Sequence, residues 1–115
     1  MMARKKEEIV DILRQTVEKM KEVGPAVAEG WGGAVQIIMP DLKTGWLMKF
    51  AMDGTIESWD EKIDEKAAEG VLEINSDVFV DIWEKRLGPM EALAEHKLDA
   101  RGSLDALIKL LPALM

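Results

Sequence analysis

The sequence predicts an α+β domain in which helices cover one face of a five-stranded, mostly antiparallel sheet. At both ends of the chain, apolar residues recur every three or four positions, as they do along one side of an amphipathic helix. Between these ends lie short apolar runs separated by glycine, proline and aspartate turns, which is typical of antiparallel strands. The 115 residues show no internal repeat, so we expect a single domain over residues 1–115.

The first helix is predicted within residues 1–24. Its apolar stripe consists of Ile9, Ile12, Leu13, Val17, Met20 and Val23. We expect Gly24-Pro25 to end this helix, because proline lacks an amide hydrogen and clashes with the preceding turn. Residues 26–33 are then a linker, since Gly30-Trp31-Gly32-Gly33 is too rich in glycine for the interior of an element.

Four strands follow this linker. The first strand is predicted over Ala34–Met39 and ends at Pro40. Residues 41–45 form a turn, and the second strand covers residues 46–52. The side chains expected on one face of the second strand are Trp46, Met48, Phe50 and Met52. The third strand covers residues 55–61. The fourth covers Gly70–Ile74, after a charged connector.

The strongest local signal is Asp53-Gly54, which predicts a two-residue type I′ hairpin turn. This turn would place Met48 opposite Trp59 on the neighbouring strand. It would also place Phe50 opposite Glu57, which is a poor pairing of an apolar with a charged side chain.

The second half of the chain predicts helices around one further strand. Asn75 or Ser76 is expected to cap a helix, whose shared face would be Val78, Phe79, Ile82, Trp83 and Leu87. Gly88-Pro89 would end it and start a short helix with Met90, Leu93 and Ala94 directed inward. Charged and small apolar residues alternate over residues 97–102, as they do in an edge strand. Ser103 is expected to cap a last helix with the stripe Leu104, Leu107, Ile108, Leu111 and Leu114.

Charge and composition exclude several classes of function. Fifteen basic and 22 acidic residues leave a net charge of −7, which disfavours nucleic acid as a partner. The absence of cysteine excludes disulfides, thiolate metal sites and a cysteine nucleophile. No apolar stretch resembles a secretory signal or a membrane span, so we expect a cytoplasmic protein without stable membrane insertion.

Few residues suggest catalysis. The single histidine, His96, is more readily explained as a turn residue before a strand than as a general base. The serines Ser76 and Ser103 stand at expected helix caps. The carboxylates of residues 60–65 lack the spacing of a calcium loop and are expected to be solvated. We therefore expect neither an enzyme nor a metal site, and no cofactor.

The last helix carries more apolar surface than one core-facing side requires. Leucine, isoleucine or methionine occupies residues 104, 107, 108, 110, 111, 114 and 115. Such a surface needs a cavity, a membrane or a second subunit to cover it. The eight methionines are flexible and polarisable, and so suit an interior of variable shape as well as an ordinary core.

Two segments resemble the C-terminal signature of the sterol carrier protein type 2 family. These are Leu87-Gly88-Pro89-Met90-Glu91-Ala92-Leu93 and Lys97-Leu98-Asp99-Ala100-Arg101-Gly102-Ser103, followed by the leucine-rich helix. The order of the upstream strands also fits, so the resemblance covers residues 30–115. The sequence departs from the family at Glu95-His96, where many members have a glycine before the lysine, and at Leu111, where animal members often have a glutamine.

The resemblance implies an apolar tunnel between the sheet and the helices that takes sterols, fatty acids, fatty acyl-CoA or other lipids. We therefore expect a non-catalytic lipid carrier. The predicted lining is Met48, Phe50, Phe79, Ile82, Trp83, Met90, Leu93, Leu104, Ile108 and Leu111. The alternative is an interaction module with a filled core, whose apolar C-terminal face pairs with an enzyme or forms a homodimer.

Overall fold

The computed structural model of the chain describes residues 5–110 and residue 112. The helices are α1 (Lys6–Ala28), α2 (Ser76–Trp83), α3 (Pro89–Ala94) and α4 (Leu104–Ile108). The strands are β1 (Ala34–Met39), β2 (Thr44–Phe50), β3 (Ile56–Glu61), β4 (Gly70–Ile74) and β5 (Leu98–Gly102). The predicted α+β class is confirmed, and β1 and β4 have the predicted bounds.

The five strands form one sheet in the order β3-β2-β1-β4-β5. Three neighbouring pairs are antiparallel, and β1 and β4 at the centre are parallel. The sheet is therefore mixed and mostly antiparallel, as predicted. Because β3 and β4 lie on opposite sides of the β1–β2 pair, residues 62–69 must cross the sheet to join them.

One face of the sheet, here called the inner face, packs against the helices. Directly paired residues share a face, and Val35 pairs with Met48, Ile37 with Trp46 and Ile74 with Leu98. These side chains form one apolar core with buried residues from all four helices. The helices thus cover a single face, and the largest fully buried side chain there is Trp46.

The opposite face is covered at its centre by the crossing connection. Gln36 of β1 is fully buried, and its Nε2 donates to the carbonyls of Trp46 and Lys62 at 3.1 and 2.9 Å. Its Oε1 accepts the Asp64 N–H at 2.8 Å. One amide side chain therefore fixes residues 62–64 across the sheet.

Replacing Gln36 with leucine is expected to lower the free energy of unfolding by about 1–3 kcal/mol, because Lys62 and Asp64 lose buried hydrogen-bond partners. Urea denaturation followed by tryptophan fluorescence measures this difference. The matched control is Gln15→Leu on the exposed side of α1, where we expect a change within about 0.5 kcal/mol. Equal effects of the two changes would contradict the role assigned to Gln36.

The predicted two-residue turn at Asp53-Gly54 is wrong. The Ala51 N–H donates to the Thr55 carbonyl at 2.8 Å, so the loop has three residues, and Gly54 is left-handed with φ 93° while Asp53 is not. The Asp53 carboxylate accepts the Thr55 hydroxyl and N–H, which lowers its pKa. Thr55 thereby holds Asp53 in this longer loop.

A bulge on β3 compensates for the longer loop. Met48 pairs with Trp59, as predicted, but the register shifts beyond Lys49 and pairs Phe50 with Ile56. The unfavourable Phe50–Glu57 pair is thus avoided, because a bulge leaves one residue without a direct partner. The strand β2 ends at Phe50, and Met52 lies exposed in the loop instead of on the inner face.

The first helix does not end at Gly24-Pro25. It continues to Ala28 with Pro25 in its final turn, where only one helical hydrogen bond is lost. Gly24 is needed for a different reason: a Cβ at this position would overlap the carbonyl oxygen of Gly54. The glycine thus permits direct backbone contact between α1 and the β2–β3 loop.

The later helices show two further differences from the sequence prediction. The N-terminus of α2 is satisfied by Asp41, whose carboxylate accepts from the backbone N–H and the hydroxyl of Ser76, while Asn75 makes no side-chain cap. In α3 the buried alanine is Ala92, and Ala94 is exposed. The predicted Ser103 cap of α4 is confirmed by its bond from the Ala106 N–H at 3.2 Å.

Candidate functional site

A cavity of about 110 Å³ lies between the inner face and the C-terminal helices. Its floor comes from the paired strands β4 and β5. Ile74 faces Leu98 across this pair, and Leu72 faces Ala100. The two small or medium-sized side chains of β5, which is an edge strand, leave space above the sheet that the core does not fill.

The walls of the cavity are helical. The side chains that line it are Phe79 and Ile82 from α2, Pro89, Met90 and Leu93 from α3, Leu104, Leu107 and Ile108 from α4, and Leu110 beyond it. Every lining residue in the described part of the chain is apolar. Such a cavity offers shape and desolvation to a guest but no hydrogen-bonding partner.

Glycine at position 70 brings α4 onto the sheet. A Cβ at Gly70 would lie 2.9 Å from the Ser103 carbonyl oxygen and 3.1 Å from Leu107 Cγ. Without this side chain, the capped start of α4 rests directly on β4. Ala106 then faces the core, while the helix side with Leu104 and Ile108 borders the cavity.

Three apolar side chains form the mouth of the cavity between α3 and α4. Met90 is 65% exposed, Leu104 54% and Ile108 49%. All three also line the cavity. The interior apolar surface therefore continues to the outside at this point, which is unusual for side chains of this size.

The structure brings together six of the ten residues predicted to line a tunnel. Those that border the cavity are Phe79, Ile82, Met90, Leu93, Leu104 and Ile108. Leu111 lies outside the described residues.

Three predicted lining residues, Met48, Phe50 and Trp83, do not border the cavity. Met48 is fully buried on β2, which is two strands away from β4 or roughly 10 Å across the sheet. Phe50 packs edge-to-face against Trp31 at 5.1 Å. Trp83 follows Ile82 on α2 and so points about 100° away from it around the helix.

Sequence reasoning missed the floor of the cavity. Leu72, Ile74, Leu98 and Ala100 were each placed on strands, but nothing local showed that β4 and β5 are neighbours. Leu107 and Leu110 also line the cavity. The wide apolar surface of the last helix could have identified these two residues as part of the site.

The titratable groups are distributed on the surface. His96 is exposed and left-handed, with φ 58°, in the turn before β5, as expected of a turn residue. Glu61 is also exposed, and hydrogen bonds from Thr44 and Lys6 lower its pKa. Within residues 5–110, no three histidine or acidic side chains are grouped as they would be around a metal ion. The same residues include no helix long and apolar enough to cross a membrane.

No sequence profile of a known protein family matches this chain, and no curated protein sequence does. Solved structures do match. Sterol carrier protein 2 like 2 from Aedes aegypti is 16% identical with a TM-score of 0.68, and the match covers 93% of this chain and 96% of that one. A ubiquinone synthesis protein described as UbiJ-SCP2 is 10% identical with a TM-score of 0.68, covering 99% and 93%.

The fold also occurs as part of a larger protein. The stereoselective inverting sec-alkylsulfatase Pisa1 from Pseudomonas sp. is 13% identical with a TM-score of 0.66, and 77% of this chain matches. This chain spans only 13–14% of the length of the two sulfatase chains that it matches. At these identities the likeness concerns the fold, which agrees with the resemblance in the sequence.

Proposed function

We propose that this chain, which has the fold of the sterol carrier protein 2 domain, binds an apolar lipid in its cavity without catalysing a reaction. One observation carries the proposal: the cavity lining is entirely apolar and continues outward through Met90, Leu104 and Ile108. A solution structure of the Aedes aegypti protein of the same fold is described as palmitated. That structure supports an acyl chain as one type of guest.

Burial of a hydrocarbon chain supplies the binding energy. Each buried methylene contributes about 0.8 kcal/mol, so eight methylenes offer about 6 kcal/mol before the cost of immobilising the ligand. The cavity must widen to hold them, because ligand pockets usually measure about 300–1,000 Å³. The short helices α3 and α4, of six and five residues, are the elements whose displacement would widen it.

We assign ligand contact to the six predicted residues that border the cavity, together with Leu72, Ala100 and Leu107. Leu111 stays a predicted contact. Met48 and Phe50 are assigned to the core, which supports β1 beside the cavity floor.

Native mass spectrometry of the protein tests the proposal, alone and after mixing with a long-chain fatty acid, a fatty alcohol and a sterol. We expect the mass of one lipid on one chain in at least one sample. Spectra with only the bare chain or its multimers would overturn the proposal. The lipid class retained would define the next set of ligands.

The alternative function is self-association through the exposed mouth, and the same three side chains favour it. Two matched substitutions separate these functions, since Met90 at the mouth and Met52 in the β2–β3 loop are both 65% exposed. If the mouth is a dimer interface, Met90→Glu will produce monomers and Met52→Glu will not. A wild-type monomer that takes up lipid would exclude this alternative.

A further inference from the structure

The sheet ends in two edge strands, β3 and β5, which differ in how readily they can pair with a further strand. The β3 strand contains a bulge and the exposed acids Glu57, Asp60 and Glu61. Bulges and like charges both oppose pairing at an edge. In contrast, β5 pairs with β4 in regular register from Leu98 to Gly102. The edge that is suited to accept another strand is therefore β5.

The direction of the backbone groups of β5 follows from its bonds to β4. At the end of this strand pair, the Ser103 N–H donates to the Glu69 carbonyl at 2.7 Å. Bonded residues alternate along an antiparallel strand. Leu98 and Ala100 lie an odd number of positions before Ser103, so their N–H and C=O groups are on the free side of β5. Within residues 5–110, no backbone group outside the sheet bonds to either residue.

The side chains of β5 are accessible on both faces of the sheet. Leu98 and Ala100 lie on the inner face, beneath the C-terminal helices, yet both are partly exposed. On the opposite face, the side chain of Asp99 is 61% exposed and that of Arg101 is 41% exposed. Neither face of β5 is therefore sealed by another element.

The charges of β5 make this strand complementary to a second copy of itself. Two copies can pair antiparallel with Ala100 opposite the partner's Ala100, and they then bond through the residues whose backbone groups are free. In this register Asp99 lies directly opposite the partner's Arg101, and the two-fold symmetry repeats the pair. Opposite charges in directly facing positions stabilise a strand pair.

The neighbouring registers are less favourable. A shift by one bonded step places Asp99 opposite the partner's Asp99, or Arg101 opposite the partner's Arg101. Like charges that face each other destabilise a strand pair. Within one chain, Asp99 and Arg101 are already 3.1 Å apart. The favoured register would extend this contact into a ring of four alternating charges, so two side chains select the alignment.

We infer that two copies of this chain pair reversibly through β5, about a two-fold axis at Ala100, and so join their sheets. Directly paired residues share a face, so the inner faces of both copies lie on the same side. The two cavity floors, to which Ala100 belongs, become neighbours in this dimer. The inference does not depend on lipid binding, and the β5 edge is a different surface from the mouth between α3 and α4.

Two features keep the pairing weak. A pair of five-residue strands buries much less than the roughly 1,200–2,000 Å² of a stable interface. Arg101 also contacts Glu65 and Glu73 of its own chain at 3.0 and 3.2 Å, so each copy brings an excess of negative charge to the edge. We therefore expect a dissociation constant on the order of 0.1–1 mM.

Sedimentation velocity of the lipid-free protein, from about 20 µM to about 1 mM, tests the inference by mass action. We expect the sedimentation coefficient to rise from that of a monomer towards that of a dimer. Asp99→Lys puts a positive charge opposite the partner's Arg101 and should weaken the dimer about tenfold. Asp60→Lys is the matched control, because it changes the net charge equally at an exposed site on β3. Its dissociation constant should stay within about twofold of the wild type.

A single cysteine tests the register. The sequence contains no cysteine, so a disulfide formed by Ala100→Cys joins two copies at this position. The Cα atoms of a hydrogen-bonded antiparallel pair are about 5.5 Å apart, which suits a disulfide. We expect Ala100→Cys to form a covalent dimer on mild oxidation, and Ala94→Cys, exposed on α3, to form much less.

Three results would each overturn the inference. The first is a protein that stays monomeric up to about 1 mM, where mass action should favour the dimer. The second is self-association that Asp99→Lys weakens no more than Asp60→Lys does, which would assign the contact to another surface. The third is equal cross-linking of the two cysteine variants, which would show that copies meet without a fixed alignment of β5.

Discussion

Replacing Gly24 with alanine is expected to lower the free energy of unfolding by about 1–2 kcal/mol, although alanine is the better helix former. Helix propensity alone predicts the opposite sign, a gain of up to about 1 kcal/mol. The added Cβ, however, would overlap the carbonyl of Gly54. The backbone fixes the position of a Cβ, and the carbonyl is itself a backbone group, so no side-chain rotation relieves the overlap. Overpacking of this kind costs about 1–3 kcal/mol.

The control for this substitution is Gly88→Ala. Gly88 has a φ of −76°, and a Cβ there would meet only Glu91 Cβ at 3.8 Å. We expect a loss of at most about 1 kcal/mol, because φ and space suit alanine and only its poorer fit to the N-cap position of α3 opposes it. Urea denaturation of the two variants and the wild type measures both effects. Stabilisation by Gly24→Ala would show that the contact between α1 and the β2–β3 loop is not required.

The error over the end of α1 has the same physical cause. Gly-Pro usually ends a helix, and local signals predicted an end at residue 24. The glycine instead serves a contact with Gly54, a residue 30 positions later in the chain. Contacts between residues so far apart in sequence can override local helix propensity. The residues around position 24 do not reveal such a contact.

The bounds of the strands were more predictable because turn residues separate one strand from the next. Both ends of β1 and of β4 were predicted correctly. Gly33 and Pro40 flank β1, while Gly70 begins β4 and Asn75 follows it. The pairing of Met48 with Trp59 followed from the hairpin. The unfavourable partner predicted for Phe50 was a sign of the bulge, because a charged residue rarely stays opposite a buried aromatic one.

The candidate site was predictable on its helical side alone. Apolar spacing on a helix shows which side chains share a face, and six such residues border the cavity. The floor depends on the pairing of β4 with β5, whose strands are separated by α2 and α3. Sheet order arises from long-range pairing, and so Leu98 and Ala100 could not be assigned to the site from local pattern.

Replacing Ala100 with phenylalanine is expected to weaken lipid binding about fiftyfold while leaving the protein folded. Ala100 lies on the cavity floor opposite Leu72, and it is the smallest side chain that lines the cavity. A phenyl ring there would occupy space needed by about three methylenes, each worth about 0.8 kcal/mol on burial. The loss of about 2.4 kcal/mol corresponds to the fiftyfold change in affinity.

Ala94→Phe is the matched control, because Ala94 is exposed on α3 and does not line the cavity. It adds the same aromatic surface without filling the space, so we expect wild-type affinity. Competition against a pyrene-labelled alkane measures both variants, and circular dichroism on heating checks that each is folded. A folded Ala100→Phe protein with unchanged affinity would place the ligand elsewhere, since the phenyl ring would occupy part of the space that the ligand is proposed to fill.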